Sequence, residues 1–294
     1  MSHTPVLQKE VLEFLSPKQN ENFIDATIGG GGHAFEILKR IAPNGKVLGI
    51  DANKETIESL EKKLEGQIKN RLILFCDNFS NLQDIVRKHK FDSVRGILAD
   101  LGFSSIELET SGRGFSFLKD EPLDMRYGET ELTAEKIIND WKEEELVDIF
   151  HEYGEERFGR KIAEIIVAAR RIKKISTTFD LVNIIKKATP AFYHHRRLNP
   201  ATKVFQALRI AVNDELNNLS KFLSQAVDVL DKGGRLIIIS FHSLEDRIVK
   251  KIFKEKEQVN LIKILTKKNI RPLFEEVASN PRSRSAKLRA AIKN

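Results

Sequence analysis

Four short apolar runs, at residues 23–28, 46–50, 72–76 and 94–99, alternate with stretches of helical periodicity such as 56–64 and 82–88. Strand-like runs separated by helix-like ones point to parallel pairing, so the rhythm constrains the chain to an α/β fold with a doubly wound sheet. It stops after Asp100 and resumes only at Gly234-Arg235-Leu236-Ile237-Ile238-Ile239-Ser240, a fifth strand introduced by the turn Asp231-Lys232-Gly233-Gly234. A chain of 294 residues is long for one ordinary domain. The expected organisation is a core domain of residues 1–104 and 209–294, interrupted by a helical insert of residues 105–208.

Between the first run and an apparent helix start near Ala34 lies Asp25-Ala26-Thr27-Ile28-Gly29-Gly30-Gly31-Gly32-His33. Glycines tolerate positive φ and carry no Cβ, and a helix start offers unpaired N–H groups, so a small ligand can lie there against bare backbone. Gly29, Gly31 and Ala34 satisfy the dinucleotide fingerprint, and Asp51, closing the second run, can hold the ribose hydroxyls of any adenosine ligand. Asp25 discriminates between ligands. An acid at the mouth of the loop repels a pyrophosphate and attracts an ammonium group, which favours S-adenosylmethionine (SAM) over a nicotinamide cofactor. A glycine-rich turn with a solvated acid is the plainer alternative.

Ligands of doubly wound sheets bind at the carboxyl ends of the strands, beside the point where the strand order reverses. If strands one and four are neighbours, Asp100-Leu101-Gly102-Phe103 shares a cleft with the glycine loop. The segment is similar to the Asp-Pro-Pro-aromatic motif of enzymes that methylate exocyclic amino groups of bases, with Leu-Gly in the middle. The lone pair of such an amine is delocalised into its ring, so a group must hold and polarise the N–H while the amine attacks a methyl group in line. Asp100 is the candidate, and the site then contributes orientation and electrostatics. A strand-end carboxylate capping the next turn is the alternative.

The single cysteine, Cys76, sits in a strand-like run and is expected to be a small core residue. No disulfide framework or thiol-based zinc cluster can be built from it. In Ser240-Phe241-His242-Ser243-Leu244-Glu245-Asp246-Arg247, Ser243 and Asp246 form a capping pattern, leaving His242 to contact a substrate base or phosphate, or to be structural. His33 reads first as a helix-start residue. Histidines and acids show no metal-ligand spacing, so no metal is expected.

The net charge of +7 is unevenly distributed. Residues 106–156 hold five Lys/Arg against sixteen Asp/Glu, whereas 157–203 hold twelve against two and 247–294 fourteen against four. Basic segments of this kind suit a phosphate backbone, or solvated helix faces paired with the acidic segment. The polar loop 111–128 is long enough to be a binding segment. A helix over 155–172 has one apolar and one basic face; Thr178 or Asp180 can cap the next, which must end before Pro190. His194, His195, Arg196, Arg197 and Lys203 then surround Phe192 and Tyr193, a mixture of cations and aromatics suited to single-stranded RNA. With no apolar span and no signal-peptide layout, a soluble, cytoplasmic protein is expected, with no membrane partner.

Together these segments resemble the ribosomal small-subunit RNA cytosine-N4 methyltransferase family, RsmH or MraW. The resemblance rests on His3-Thr4-Pro5-Val6-Leu7, Asp25-Ala26-Thr27 with Gly30-Gly31-Gly32-His33, Asp100-Leu101-Gly102-Phe103-Ser104-Ser105, Arg113-Gly114-Phe115-Ser116-Phe117 and Pro122-Leu123-Asp124-Met125-Arg126. It continues through Tyr153-Gly154-Glu155-Glu156-Arg157, Pro200-Ala201-Thr202 with Phe205-Gln206-Ala207-Leu208-Arg209-Ile210, residues 240–250, and Asn280-Pro281-Arg282-Ser283-Arg284-Ser285. It implies a class I SAM-dependent methyltransferase fold, a Rossmann-like doubly wound sheet with an inserted helical substrate-recognition domain. The implied reaction is methylation of N4 of a cytidine in the decoding region of 16S rRNA, within the small ribosomal subunit; a homodimer is left open. The implied SAM contacts are Gly31, Gly32, His33, Asp51, Phe79 and Asp100, joined by Asp25 from the electrostatic argument. The family's Pro-Gln after the Ser-Ser is Ile106-Glu107 here, and its His before Pro-Ala-Thr is Asn199, so Glu107 as a cofactor residue departs from the pattern. Phe103, Arg113, Arg126, Arg196, Arg197 and Lys203 are the expected substrate or RNA contacts. A catalytically silent RNA-binding assembly factor and a nicotinamide-dependent oxidoreductase are the competing readings.

Overall fold

The structure, a computed structural model, describes residues 5–102, 111–128, 130–194 and 199–294. In chain order the helices of eight residues or more, or of six or seven where they are regular, are α1 Gln8–Leu15, α2 Gly32–Arg40, α3 Lys54–Glu61, α4 Leu82–His89, α5 Ala134–Asp140, α6 Glu143–Glu152, α7 Gly159–Arg170, α8 Thr178–Ala188, α9 Ala201–Asn213, α10 Glu215–Val229, α11 Ser243–Gln258 and α12 Phe274–Ser279. The strands are β1 Asn22–Asp25, β2 Val47–Asp51, β3 Leu72–Cys76, β4 Val94–Asp100, β5 Arg235–Ser240, β6 Ile262–Ile264 and β7 Lys287–Lys293.

The strands form one sheet in the order β3-β2-β1-β4-β5-β7-β6. β1 to β5 run parallel, and β7 runs antiparallel to both β5 and β6. This is the class I SAM-dependent methyltransferase fold. The central strands are buried on both faces, as their near-continuous apolar sequences require. One face is closed by a layer that includes Leu82, Ile85, Phe222, Leu223, Val249 and Phe253, the other by one that includes Val11, Leu15, Ala34, Ile37, Leu38 and Ile57.

The chain forms two compact units, Met1–Phe103 with Leu216–Asn294, and Ser104–Glu215. The return to the sheet unit therefore comes later than the expected 208/209. The reason is α9, an unbroken helix through that point whose Val204, Phe205, Leu208 and Val212 belong to the core of the helical unit. It stops at Asp214, which takes the left-handed conformation at φ 49°.

The helical unit packs α5 to α9 around Phe115, Ile137, Phe150, Ile162, Leu181 and Leu208. The long polar loop is tied into this unit: Asn213 Nδ2 donates to the Met125 carbonyl at 2.8 Å, the Tyr127 N–H donates to Asn213 Oδ1, and the Tyr127 hydroxyl donates to Glu215. Arg209 holds that same Glu215 in a two-pronged pair at 2.7 and 2.8 Å. Thr177, not Thr178 or Asp180, caps α8, accepting from the Asp180 N–H; Thr178 is buried and its hydroxyl donates to the Lys119 carbonyl instead. α7 is shorter than the expected 155–172, because Glu155 stands at φ 46° and Glu156 folds back to accept from the Phe158 N–H.

Two further expectations are corrected. Cys76 is exposed, because it is the last residue of β3 and its side chain leaves the sheet beside the Ala52 carbonyl. α11 is capped by His242 and Glu245, not by Ser243 and Asp246: His242 Nδ1 accepts from the Glu245 N–H, while Glu245 accepts from the N–H groups of Phe241 and His242. Asp246 turns instead to Arg289, at 2.7 Å.

Candidate active site

The order of the strands reverses between β1 and β4, and these two strands end in Asp25 and Asp100. Thr27 ties the two ends together. Its hydroxyl accepts from the Asp100 N–H at 2.7 Å and its own N–H donates to Asp25 Oδ1 at 3.3 Å. Asp25 is buried, and the loss of water raises its pKa to about 7 against the opposing Thr27 hydrogen bond, with the Asp51 charge adding to the rise. Asp100 keeps 19% of its side chain exposed. Desolvation, then the charges of Asp25 and Glu245, push its pKa well above the carboxylate range. Asp100 Oδ1 is buried and has no hydrogen-bond partner among the described residues.

The glycine loop wraps the end of β1. Gly31 is the N-cap of α2 at φ 80°, where a Cβ would stand 2.8 Å from the Phe35 ring, so the turn itself demands glycine. Gly30 differs, with nothing within 4 Å of the position its Cβ would take. Gly32 opens α2 without a side-chain cap, leaving helix N–H groups available for an anionic group. The helix thus begins two residues before the expected Ala34, and buries His33 in its first turn with Nε2 3.7 Å from Asp100 Oδ2.

Asp51, at the end of β2, accepts from the Gly29 N–H at 3.0 Å and the Asn53 N–H at 2.9 Å. An ionised carboxylate has further acceptor sites, so it can bind hydroxyls while pinning the loop. Phe79 follows β3 and meets Phe222 edge-on at 5.1 Å, which fixes its ring beside the strand ends. His242 follows β5, its Nε2 3.2 Å from Glu245 Oε1. Asp25, Gly31, Gly32, His33, Asp51, Phe79, Asp100 and His242 thus all lie at the carboxyl edge of the parallel strands or in the segments that leave it.

In the helical unit, Arg113 donates to the carbonyls of Arg126 and Tyr127, Arg126 grips Asp124 with Nε and Nη2 both at 2.7 Å, and Lys203 donates to the Glu155 carbonyl. Tyr193 is buried with its hydroxyl on Glu156, while Phe192 is exposed. Phe103, Glu107, Arg196 and Arg197 lie outside the described residues. The Thr27 bridge and the Glu245 cap escaped sequence reading, although Asp-Ala-Thr and His-Ser-Leu-Glu carry the spacing of an Asx-type turn and a capping box.

Residues 1–294 match the model of the MraW methylase family. The chain belongs to that family. It is 47% identical to the Ribosomal RNA small subunit methyltransferase H of Halothermothrix orenii over 307 aligned residues, covering 99% of this chain and 98% of the relative. Identity to the protein of the same name from Persephonella marina is 45% over 292 residues, 99% of each. The solved structure of PH0851 shares the fold at 11% identity, with a TM-score of 0.50 over 99% of this chain and 46% of that one.

The MraW methylase family and its fold imply SAM as the cofactor, and the strand-end residues fit it. Two carboxylates that burial drives toward neutrality are relieved by a cationic ligand, which SAM is at its sulfonium and ammonium. The open space over Gly30 and the start of α2, without a side-chain cap, suit an amino-acid moiety, and Asp51 and Phe79 offer a hydroxyl acceptor and an aromatic face suited to a nucleoside.

Proposed function

We propose that this protein methylates the exocyclic N4 of a cytidine in the decoding region of 16S rRNA, using SAM. The observation that carries the reading is Asp100 at the strand-order reversal, with Oδ1 buried and without a partner among the described residues. An acceptor left open at such a place is what an amine N–H needs, since it fixes the lone pair toward the methyl group. SAM supplies the activated methyl group and positive charge. Asp100 then serves as the hydrogen-bond acceptor, ionised when positive charge lies beside it, and Asp25 does the same for the ammonium group. Asp51 holds the ribose hydroxyls, Phe79 flanks the adenine, and Gly31, Gly32 and His33 carry the amino-acid end. His242, at the end of β5, is proposed to face the base.

The rRNA substrate is supported by the names of the relatives, small-subunit rRNA methyltransferases at 45–47% identity. Phe103, Arg113, Arg126, Arg196, Arg197 and Lys203 are the proposed RNA contacts, and Glu107 a further cofactor contact. The helical unit, residues 104–215, is the proposed recognition domain. Incubating the purified protein with labelled SAM and unmodified small subunits tests the reading. Transfer of label to 16S rRNA by the wild type, and its loss by at least about a hundredfold in Asp100→Asn, is the expected result. Label on protein or on large-subunit RNA alone, or undiminished transfer by the variant, contradicts it.

A further inference from the structure

The site holds more negative charge than an acceptor role for Asp100 tolerates. Asp25 faces it from β1 and Glu245 from α11, while Asp51, on β2, bears on Asp25. A carboxylate among such neighbours takes up a proton, and a protonated Asp100 turns one oxygen into a donor and becomes a weaker acceptor for an amine N–H. Against these acids stand two imidazoles. His242 Nε2 is 3.2 Å from Glu245 Oε1, and His33 Nε2 is 3.7 Å from Asp100 Oδ2, with His33 itself only 7% exposed.

We propose that His33, as an imidazolium, pairs with Asp100 and holds it in the carboxylate form that its acceptor role requires. The inference deepens the methyl-transfer reading and rests on it for its meaning. His33 acts through Asp100 and is a positioning residue; its side chain has this task whatever its backbone N–H does for a ligand. The geometry suits it: α2 starts at Gly32, so the second helical residue is carried to the end of β4 and buried there. The carboxylate beside it favours the charged form of the imidazole, against the opposing effect of burial.

The direct test uses the ligand-free protein. Titrating the imidazole signals by NMR, His33 should lose its proton at least about one pH unit higher in the wild type than in Asp100→Asn, a tenfold change in its acid constant. Identical titration in the two proteins overturns the proposal. Because neither SAM nor RNA is present, this outcome is independent of whether cytidine N4 is the acceptor. The second test is the single-turnover methylation rate against pH in His33→Gln, which keeps a hydrogen-bonding side chain but cannot carry charge. The acid limb of the profile should move to higher pH, so that the rate at pH 7 falls about tenfold or more and recovers to within about threefold on the alkaline plateau. An unshifted limb, or an equal loss at every pH, overturns it.

Discussion

The N–H of Asp100 donates to the hydroxyl of Thr27 at 2.7 Å, joining the ends of the two strands between which the sheet reverses its order. Since Thr27 also reaches Asp25 Oδ1, one side chain and one N–H set the spacing of both acids. Thr27→Val is therefore expected to cost about 1 kcal/mol of stability by stranding the Asp100 N–H, and to lower methyl transfer by about tenfold through misplacement of Asp100. Thr27→Ser should restore both. Melting temperature and single-turnover rate check this; a valine variant with wild-type turnover would remove Thr27 from the site.

The glycine run separates into positions where a side chain would meet the fold and one, Gly30, where it would meet open space. Gly31→Ala places a Cβ at φ 80° against Phe35 and should lower stability by about 1–2 kcal/mol. Gly30→Ala meets open space and should leave the melting temperature unchanged while weakening SAM binding by about tenfold, or about 1.4 kcal/mol. Calorimetric titration beside thermal melts separates the two. Unchanged SAM affinity in Gly30→Ala would mean the ligand lies elsewhere.

Asp25 links both stability and binding to pH. Its pKa of about 7 belongs to the folded state, above the ordinary 3.8 of an unfolded chain. Between those values the folded protein holds a proton that the unfolded chain has released, so this group makes stability fall as pH rises through the window and adds no slope above it. Binding runs the other way. A cationic ligand favours the carboxylate, so below about pH 7 it expels the proton, and affinity falls as pH drops by up to about tenfold per unit. Calorimetry near pH 6 in buffers of different ionisation heat should register proton release on SAM binding, reduced in Asp25→Asn. Binding without proton release at that pH would contradict the assignment.

The proposed RNA contacts divide by what else they do. Arg113 donates to two backbone carbonyls of the loop, so Arg113→Ala should lower the stability of the helical unit by about 1–2 kcal/mol along with RNA affinity. Neutralising Arg196 and Arg197 together should flatten the salt dependence of RNA binding by about 1.4 in log–log slope. A slope that does not change would place the RNA on other residues.

The central parallel strands were legible because they are buried on both faces and read as apolar runs, and Asp25, Asp51 and Asp100 stood out by closing such runs. β7 was not, for a physical reason: Lys-Leu-Arg-Ala-Ala-Ile-Lys has weak strand propensity, and its alanines are held in the sheet by pairing with Leu236 and Ile237 of β5. β6, three residues long, exists through β7. Capping misled for a related reason. Ser243 and Asp246 fit the pattern as well as His242 and Glu245 do, and what draws Asp246 away is Arg289, brought over from β7, together with Asn269 and Lys287. Neither the burial of Asp25 nor the approach of His33 to Asp100 has a one-dimensional signature, since both depend on which strands become neighbours.

The central claim is that Asp100 presents a cytidine N4 amine of 16S rRNA to SAM. Mass spectrometry of rRNA nucleosides from a strain lacking this gene, complemented with the wild type or with Asp100→Ala, tests it most directly. N4-methylcytidine in small-subunit rRNA should be absent without the gene, return with the wild type, and stay absent with the variant. Its presence in the deletion strain, or its full return with Asp100→Ala, would contradict the account.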